Sequence, residues 1–387
     1  MANLRRVLDL KLKCHFGTYK QVLVLLGARQ VGKTTILRKI FPQAQYLSVD
    51  SDPICDVLNR YDPEAYKQIL KPDSKLIVID EIHKLSNPGR AAKIIYDQIP
   101  EYKLIITGSS AFNIKNKASE SLAGRKIEYY LYPLTFSEYL VQRGIVENFS
   151  SLFLNKFKGD RVYPFDLVFL LDNVLIYGLY PEMISKPSDR LYLTNLIDSV
   201  VFKDLLDLSL IENRTGALNL LKLLAHQIGS LVNYSELSSR LGLDVKTIKR
   251  YIDLFEQSFI IFKVLPYSTK KRDEIGKMPK IYFYDLGLRN ALIENFQPIN
   301  NRPDGGQLFE NFIISEVLKT NYYEDFGYKL NYWRTKQGSE IDLVLSKNDE
   351  ELLGVEIKSS ARVGGIAFRN RYPHAKVITI TKQNFYQ

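Results

Sequence analysis

Nine residues constrain this chain more than any other stretch: Gly27-Ala28-Arg29-Gln30-Val31-Gly32-Lys33-Thr34-Thr35. They follow an apolar run at residues 22–26 and precede residues 36–41, which read as the first turns of a helix. A strand, a glycine-bounded loop and a helix start, in that order, make the P-loop (Walker A) pattern. Gly27 and Gly32 let the backbone turn and bring its N–H groups round an anion. The helix N-terminus adds positive potential at the same point. Lys33 carries a charge to the β- and γ-phosphates, and the Thr34 hydroxyl is suited to holding Mg²⁺. The expected ligands of residues 27–35 are therefore ATP and Mg²⁺. A glycine-rich turn with a solvated lysine is the plain alternative, but every fixed position of the motif is filled and both flanks are right.

A chain of 387 residues has room for two or three domains. Its 45% apolar and 25% charged residues are ordinary for globular proteins, so a core needs no disulfide staple. Cys14 and Cys55 form neither a metal spacing nor a disulfide framework, which fits a reducing cytoplasm. The net charge of +10 is compatible with nucleic acid or an acidic surface. Residues 1–13 mix charges with apolar residues and have no signal-peptide core. The apolar stretch at 165–175 is interrupted by Asp166 and Asp172, so no membrane span is expected.

Residues 4–13 read as an amphipathic helix. Strand-like runs follow at 22–26, 46–49, 76–79, 104–106 and 128–131, mostly separated by helical stretches. That alternation predicts a parallel sheet covered on both faces. The third run ends in Asp80-Glu81, which puts two carboxylates at the C-terminal edge of the sheet, where ligands bind in open α/β folds. Asp80 is expected at Mg²⁺, and Glu81 at the water that attacks the γ-phosphate (Walker B). At the tip of the fourth run Ser109 is the first candidate for contact with that water or the γ-phosphate, with Thr107 behind it. Arg125 follows Gly124 and precedes a strand; it is placed to act as an arginine finger from a neighbouring subunit, which implies a homo-oligomer. A surface arginine is its plain alternative.

The loop at 27–35, Ile79-Asp80-Glu81-Ile82-His83-Lys84, Ile106-Thr107-Gly108-Ser109-Ser110-Ala111, Ser121-Leu122-Ala123-Gly124-Arg125 and Pro133-Leu134-Thr135-Phe136-Ser137-Glu138-Tyr139 together resemble a prokaryotic family of AAA+-type P-loop ATPases with a conserved C-terminal region. The resemblance spans essentially the whole chain. It implies a sheet with the additional-strand order of AAA+ proteins and assigns Asp80, Glu81 and Arg125 the roles above.

Residues 148–166 are polar and read as a linker. Tyr177-Gly178-Leu179-Tyr180-Pro181-Glu182-Met183 matches a short stretch of that family, and residues 191–210 have helical spacing. This part is expected to be a helical lid that couples nucleotide state to movement. Within 216–285, Ser235 is the expected cap of one helix, Gly242 ends it, and Asp244 caps a second helix over 245–257. The pattern is that of a winged helix, with strands at 259–262 and 280–283. Lys246, Lys249 and Arg250 share a polar face, and Lys270, Lys271 and Arg272 fall at the wing tip. Residues 244–272 thus suit DNA phosphates. A protein-binding module with a solvated charged face is the alternative.

Toward the end, Glu310 lies near the start of a helix, and Ser339-Glu340-Ile341-Asp342 leads by a turn to Val355-Glu356-Ile357-Lys358. Residues two apart on a strand share a face, so Glu356 and Lys358 project together and a hairpin brings Asp342 beside them. Two carboxylates and a lysine on one sheet face suit Mg²⁺ and phosphodiester cleavage. This resembles the PD-(D/E)XK nuclease superfamily. The resemblance implies Asp342 and Glu356 as metal ligands, Lys358 at the water and Glu310 completing the site; Ile341 stands where the motif names proline.

The expected organisation is an α/β ATPase core (1–150), a helical lid (151–215), a winged helix (216–285) and an α+β restriction-endonuclease-like domain (286–387). Three functions follow: an Mg²⁺-dependent ATPase acting on or near DNA, an ATP-gated nuclease, or a nucleotide-dependent switch that recruits a protein partner.

Overall fold

A strand flanked by helices on both faces has no side to show to water, and Val22–Leu26 (β1) is built that way: all five residues are apolar and buried. The computed structural model describes residues 4–108, 122–149, 164–197, 211–268, 278–347, 351–358 and 365–385. These form two compact units, Met1–Pro133 with Gln257–Phe259, and Leu134–Glu256 with Ile260–Gln387.

In the first unit β1 lies in a five-stranded sheet with Gln45–Ser48 (β2), Leu76–Asp80 (β3), Lys103–Gly108 (β4) and Lys126–Tyr130 (β5). The order is β2-β3-β4-β1-β5, with every neighbour parallel. β4 therefore sits between β1 and β3, the additional-strand order expected from the resemblance. The crossovers run through helices at Lys33–Ile40, Asp52–Leu58, Pro63–Ile69 and Pro88–Gln98. Their starts are chemically marked. The Asp62 side chain accepts from Glu64 N and the Asn87 side chain from Arg90 N, and each is followed by proline in the first turn.

The N-terminal helix differs from the expectation of 4–13 and spans Asp9–Thr18. Arg6 lies ahead of it, with its N–H on Asp9 Oδ2 (3.1 Å) and its buried guanidinium donating to Val31 O (3.0 Å) and Tyr132 O (2.7 Å).

The first unit closes at Pro133, short of the boundary at 150 drawn from sequence. The reason lies in the next few residues. Thr135 and Glu138 form a reciprocal capping box at the start of the helix Phe136–Gln142. Phe136 N then donates to Glu316 Oε2 (2.7 Å), and Lys319 Nζ to Leu134 O (3.1 Å). Glu316 and Lys319 are both buried on the long helix Gly305–Tyr323, so this segment belongs to the second unit.

The second unit contains a six-stranded mixed sheet of Ile261–Pro266 (β6), Lys280–Phe283 (β7), Lys329–Arg334 (β8), Glu340–Lys347 (β9), Glu351–Ile357 (β10) and Lys376–Ile380 (β11), in the order β11-β10-β9-β8-β6-β7. The hairpin β6–β7 follows three helices, Arg214–His226, Tyr234–Leu241 and Val245–Gln257. β6 also pairs with β8 through Leu265↔Asn331 and Pro266↔Tyr332, so one sheet crosses the division at 285 expected from sequence. Asn233, not Ser235, caps Tyr234–Leu241: its Oδ1 accepts from Ser235 N (3.0 Å) and Glu236 N (3.3 Å). Asp244 caps the following helix through Thr247 N (2.8 Å), as expected. Of the stretch 191–210, the helix Arg190–Ile197 is described; the rest lies outside the described residues.

A buried ionic knot ties this unit together. Asp304 accepts from Arg289 Nη1 (2.6 Å), Arg302 Nε (2.8 Å) and Arg302 Nη2 (2.8 Å). Arg289 also donates to Ala225 O (2.7 Å), and Asn290 donates to Leu175 O and Ile176 O. Helices distant in sequence are thereby joined with their carbonyls and charges paired.

Candidate active site

The loop between β1 and the helix Lys33–Ile40 is held from three sides. A side chain at Gly27 would bring its Cβ to 2.2 Å from Leu131 O, so only glycine lets the loop pass the end of β5. Gly32 has φ +94°, the left-handed region that glycine enters freely. Lys33 is buried, and its ammonium donates to Gly27 O (3.0 Å) and Ala28 O (2.9 Å), tying the start of the loop to its end. Arg6 holds the middle through Val31 O. Sequence reading had no signal for Arg6, whose acceptors lie 25 and 126 residues away.

Thr34, one residue on, reaches across the sheet. Its Oγ1 donates to Asp80 Oδ2 at 2.8 Å. Asp80 ends β3, two strands from β1, and β4 fills the gap with Thr107. Thr107 is fully buried; its hydroxyl donates to Asp80 Oδ1 and accepts from Glu81 N (3.1 Å). One hydroxyl thus fixes the magnesium candidate and the backbone of the base candidate together. Thr107 stood second to Ser109 in the sequence reading; Ser109 lies outside the described residues. Glu81 has a left-handed backbone (φ 57°, ψ 38°), uncommon for a residue with a side chain and typical of functional sites. An oxygen-only set of Thr34 hydroxyl and Asp80 carboxylate suits a hard cation such as Mg²⁺.

Arg125 is elsewhere. It immediately precedes β5, its carbonyl accepts from Val22 N at the start of β1, and β1 and β5 are parallel. It therefore sits at the edge of the sheet opposite the loop at 27–35. There its guanidinium pairs with Asp97 at 2.9 Å.

In the second unit, the β9–β10 pairing Val355↔Leu343 sets Asp342 and Glu356 opposite one another at the next step. Asp342 Oδ2 accepts from Ile357 N (2.7 Å) and Lys358 Nζ (3.3 Å). Burial pushes the Glu356 carboxyl above its usual range; the Lys358 ammonium offsets part of this, and the Asp342 charge adds to it. Glu310 is engaged differently. Its Oε1 accepts from Tyr282 OH (2.6 Å) and lies 3.4 Å from Lys280 Nζ, which in turn pairs with Glu340 (2.5 Å). Lys280, missed in the sequence reading, is a buried cation among these acids. Among the described residues no group of three His, Cys, Asp or Glu side chains is spaced to hold a metal ion.

On the helix Val245–Gln257, Ile248, Ile252 and Phe255 are buried while Lys246, Lys249 and Arg250 are exposed. Arg250 pairs with Glu212 (3.1 Å). The wing-tip residues 269–272 lie outside the described residues. No described helix is long and apolar enough to cross a membrane.

Comparison with known proteins agrees with this geometry at the level of the first unit. Residues 19–140 match the family model described as an AAA domain. Residues 168–298 and 305–384 match two models described as domains of unknown function, DUF8612 and DUF4143. The chain is similar to an uncharacterized protein of Methanocaldococcus jannaschii, 26% identical over 373 residues (89% of this chain, 77% of the relative). An uncharacterized protein of Haemophilus influenzae is 26% identical over 353 residues (86% and 81%). Among solved structures, a Walker-type ATPase of Pyrococcus abyssi aligns with a TM-score of 0.46 at 14% identity, covering 74% of this chain and 94% of that one. With the loop, the additional-strand sheet and the family match in agreement, the part of the chain that carries residues 27–35 is a P-loop ATPase domain of the AAA type.

Proposed function

We propose that this protein binds ATP with Mg²⁺ on the loop at 27–35, hydrolyses it, and uses turnover to act on or near DNA through its second unit. The observation that carries the ATPase reading is the hydrogen-bonded run Thr34–Asp80–Thr107–Glu81 across three strands. Backbone amides of the loop and the Lys33 ammonium bind the phosphates. Thr34 and Asp80 would hold Mg²⁺, which supplies neutralisation of phosphate charge. The Glu81 carboxylate accepts a proton from the attacking water, and Thr107 keeps Asp80 and Glu81 in register. Arg125, on the far edge of its own sheet, serves the loop of a neighbouring subunit in a homo-oligomer. Lys33→Ala is expected to abolish nucleotide binding, and Glu81→Gln to permit binding but stop turnover. Tight ATP binding by the first variant, or unchanged turnover by the second, removes the assignment.

The DNA reading rests on Lys246 and Lys249, exposed on a helix whose other face is buried. Phosphate contacts make affinity fall as salt rises. Steeply salt-dependent duplex binding, weakened in a Lys246→Ala/Lys249→Ala variant, is expected; absent or salt-insensitive binding turns the reading to a switch that recruits a protein.

The second reading, an ATP-gated nuclease, is favoured by Asp342 facing Glu356 with Lys358 within 3.3 Å of Asp342. Mg²⁺ is commonly held by one or two carboxylates plus substrate phosphate, so these two acids would suffice. Plasmid incubated with Mg²⁺ or Mn²⁺ and ATP tests it. Cleavage lost in Asp342→Ala supports it, and intact plasmid under every nucleotide condition counts against it.

A further inference from the structure

Glu81 brings a carboxylate to the phosphate site, and its oxygen Oε2 is set apart from the hydrogen-bonded run Thr34–Asp80–Thr107. Oε2 is buried, and no described hydrogen bond reaches it. The side chain as a whole keeps 18% of its surface. The group that faces Oε2 is His83, on the 3₁₀ turn Ile82–Lys84 that immediately follows; its Nδ1 lies 3.4 Å away. His83 is 3% exposed, so this is an interior contact with little solvent screening. The Glu81 backbone is fixed as well, by its left-handed turn and by its N–H on Thr107 Oγ1. The carboxylate therefore swings only about its own side-chain bonds, and His83 stands where that swing is limited.

We infer that His83 is the positioning residue for Glu81. It rests on the reading of Glu81 as the group that activates water. Nδ1–H holds Oε2, which leaves Oε1 to receive the proton of the attacking water. The division of labour is a general one: a buried partner anchors one atom of a catalytic group so that the other keeps a single aim. A separation of 3.4 Å is long for a hydrogen bond, but catalytic contacts in nucleotide-free proteins are commonly long and tighten in the substrate complex.

The test uses the full-length protein and steady-state ATP hydrolysis. Leucine at 83 keeps an apolar body and removes the donor. Asparagine sets an amide N–H close to the place of Nδ1, whereas glutamine sets its amide nearer the place of Nε2. His83→Leu is expected to lower kcat by about tenfold, a modest share of a general-base contribution, with KM for ATP within about twofold of wild type. His83→Asn should recover most of the loss and His83→Gln should not. Wild-type kcat in His83→Leu overturns the inference. So does an equal loss in His83→Asn and His83→Leu with unchanged thermal unfolding, since packing alone then explains it. Where His83→Leu fails to fold, asparagine and glutamine decide: activity with the first only supports the inference, and equal activity overturns it. Glu81→Gln separates the two layers. Unchanged turnover in that variant sinks the reading of Glu81 itself, whereas lost turnover beside a fully active His83→Leu sinks only the role of His83.

Discussion

Replacing Gly27 with alanine adds one methyl group at the point where the phosphate loop passes the end of β5. The new Cβ would stand 2.2 Å from Leu131 O and 3.1 Å from Leu131 C, where real Cβ contacts essentially never fall under 3.0 Å. The obstacle is backbone and is itself pinned. Leu131 N donates to Leu26 O (2.7 Å), and the neighbouring Tyr132 O receives Arg6 (2.7 Å). Loop and strand must therefore part by about 1 Å in a region packed like a crystal. Overpacking of this kind costs about 1–3 kcal/mol of stability. A shift of about 1 Å in a group that places the phosphates costs turnover about a hundredfold. Gly32→Ala is the matched control. Its Cβ meets nothing within 4 Å, but its φ of +94° strains any side chain, at about 1–2 kcal/mol. Urea unfolding gives the stability term, titration with a fluorescent ATP analogue gives binding, and phosphate release gives turnover. If Gly27→Ala unfolds at the wild-type midpoint and turns over ATP normally, the claim that this contact sets the loop is refuted.

Arg6→Ala leaves the buried carbonyls of Val31 and Tyr132 without their donor and is expected to cost about 3 kcal/mol in urea unfolding, at about 1–3 kcal/mol per orphaned group. Arg6→Lys should recover only part, because one ammonium does not reproduce a planar fork. Burial alone would raise the Asp304 pKa, but hydrogen bonds from Arg302 and Arg289 outweigh it and hold the carboxyl well below its usual range. The unfolded chain then binds this proton more readily than the folded one, so stability rises with pH. The contribution is complete above about pH 4 and is lost as pH falls toward the folded value; Asp304→Asn should flatten that acid dependence and cost about 3–5 kcal/mol at neutral pH. Arg125→Ala breaks a surface pair with Asp97, worth about 0–1 kcal/mol, and an exposed 3.5 Å hydrogen bond to Ala123 O, so it should fold normally, bind ATP and fail to hydrolyse it. Mixing it with Glu81→Gln protein should restore part of the turnover; no restoration at any ratio removes the role of Arg125 across subunits.

Much of the first unit is written in contiguous residues. Gly27, Gly32, Lys33 and Thr34 stand within eight positions, and Gly32 and Lys33 act within that stretch, through a left-handed turn and through bonds back to Gly27 O and Ala28 O. Asp80 and Glu81 follow an apolar strand, and a run of buried residues such as Val22–Leu26 announces a covered parallel sheet. Caps are similarly local: Asp244 to Thr247, Thr135 to Glu138. Such features depend on period and on neighbours three or four residues away, and an amino-acid sequence displays both. The order of the strands did not follow from the runs themselves; it came from resemblance.

What only the tertiary structure decided are the partners that meet across long loops. Thr107 meets the Asp80 oxygen that Thr34 does not because β4 inserts between β1 and β3. Arg6 serves carbonyls on two other elements. Lys280 occupies the acids around Glu310, and Glu316 with Lys319 claims residues 134–136 for the second unit. Arg125 is carried to the far edge of its sheet by the parallel register of β5 on β1. None of these contacts has a repeat or a local geometry to betray it. Each exists because chain closure brings a donor to a buried acceptor that has left water and must be paired.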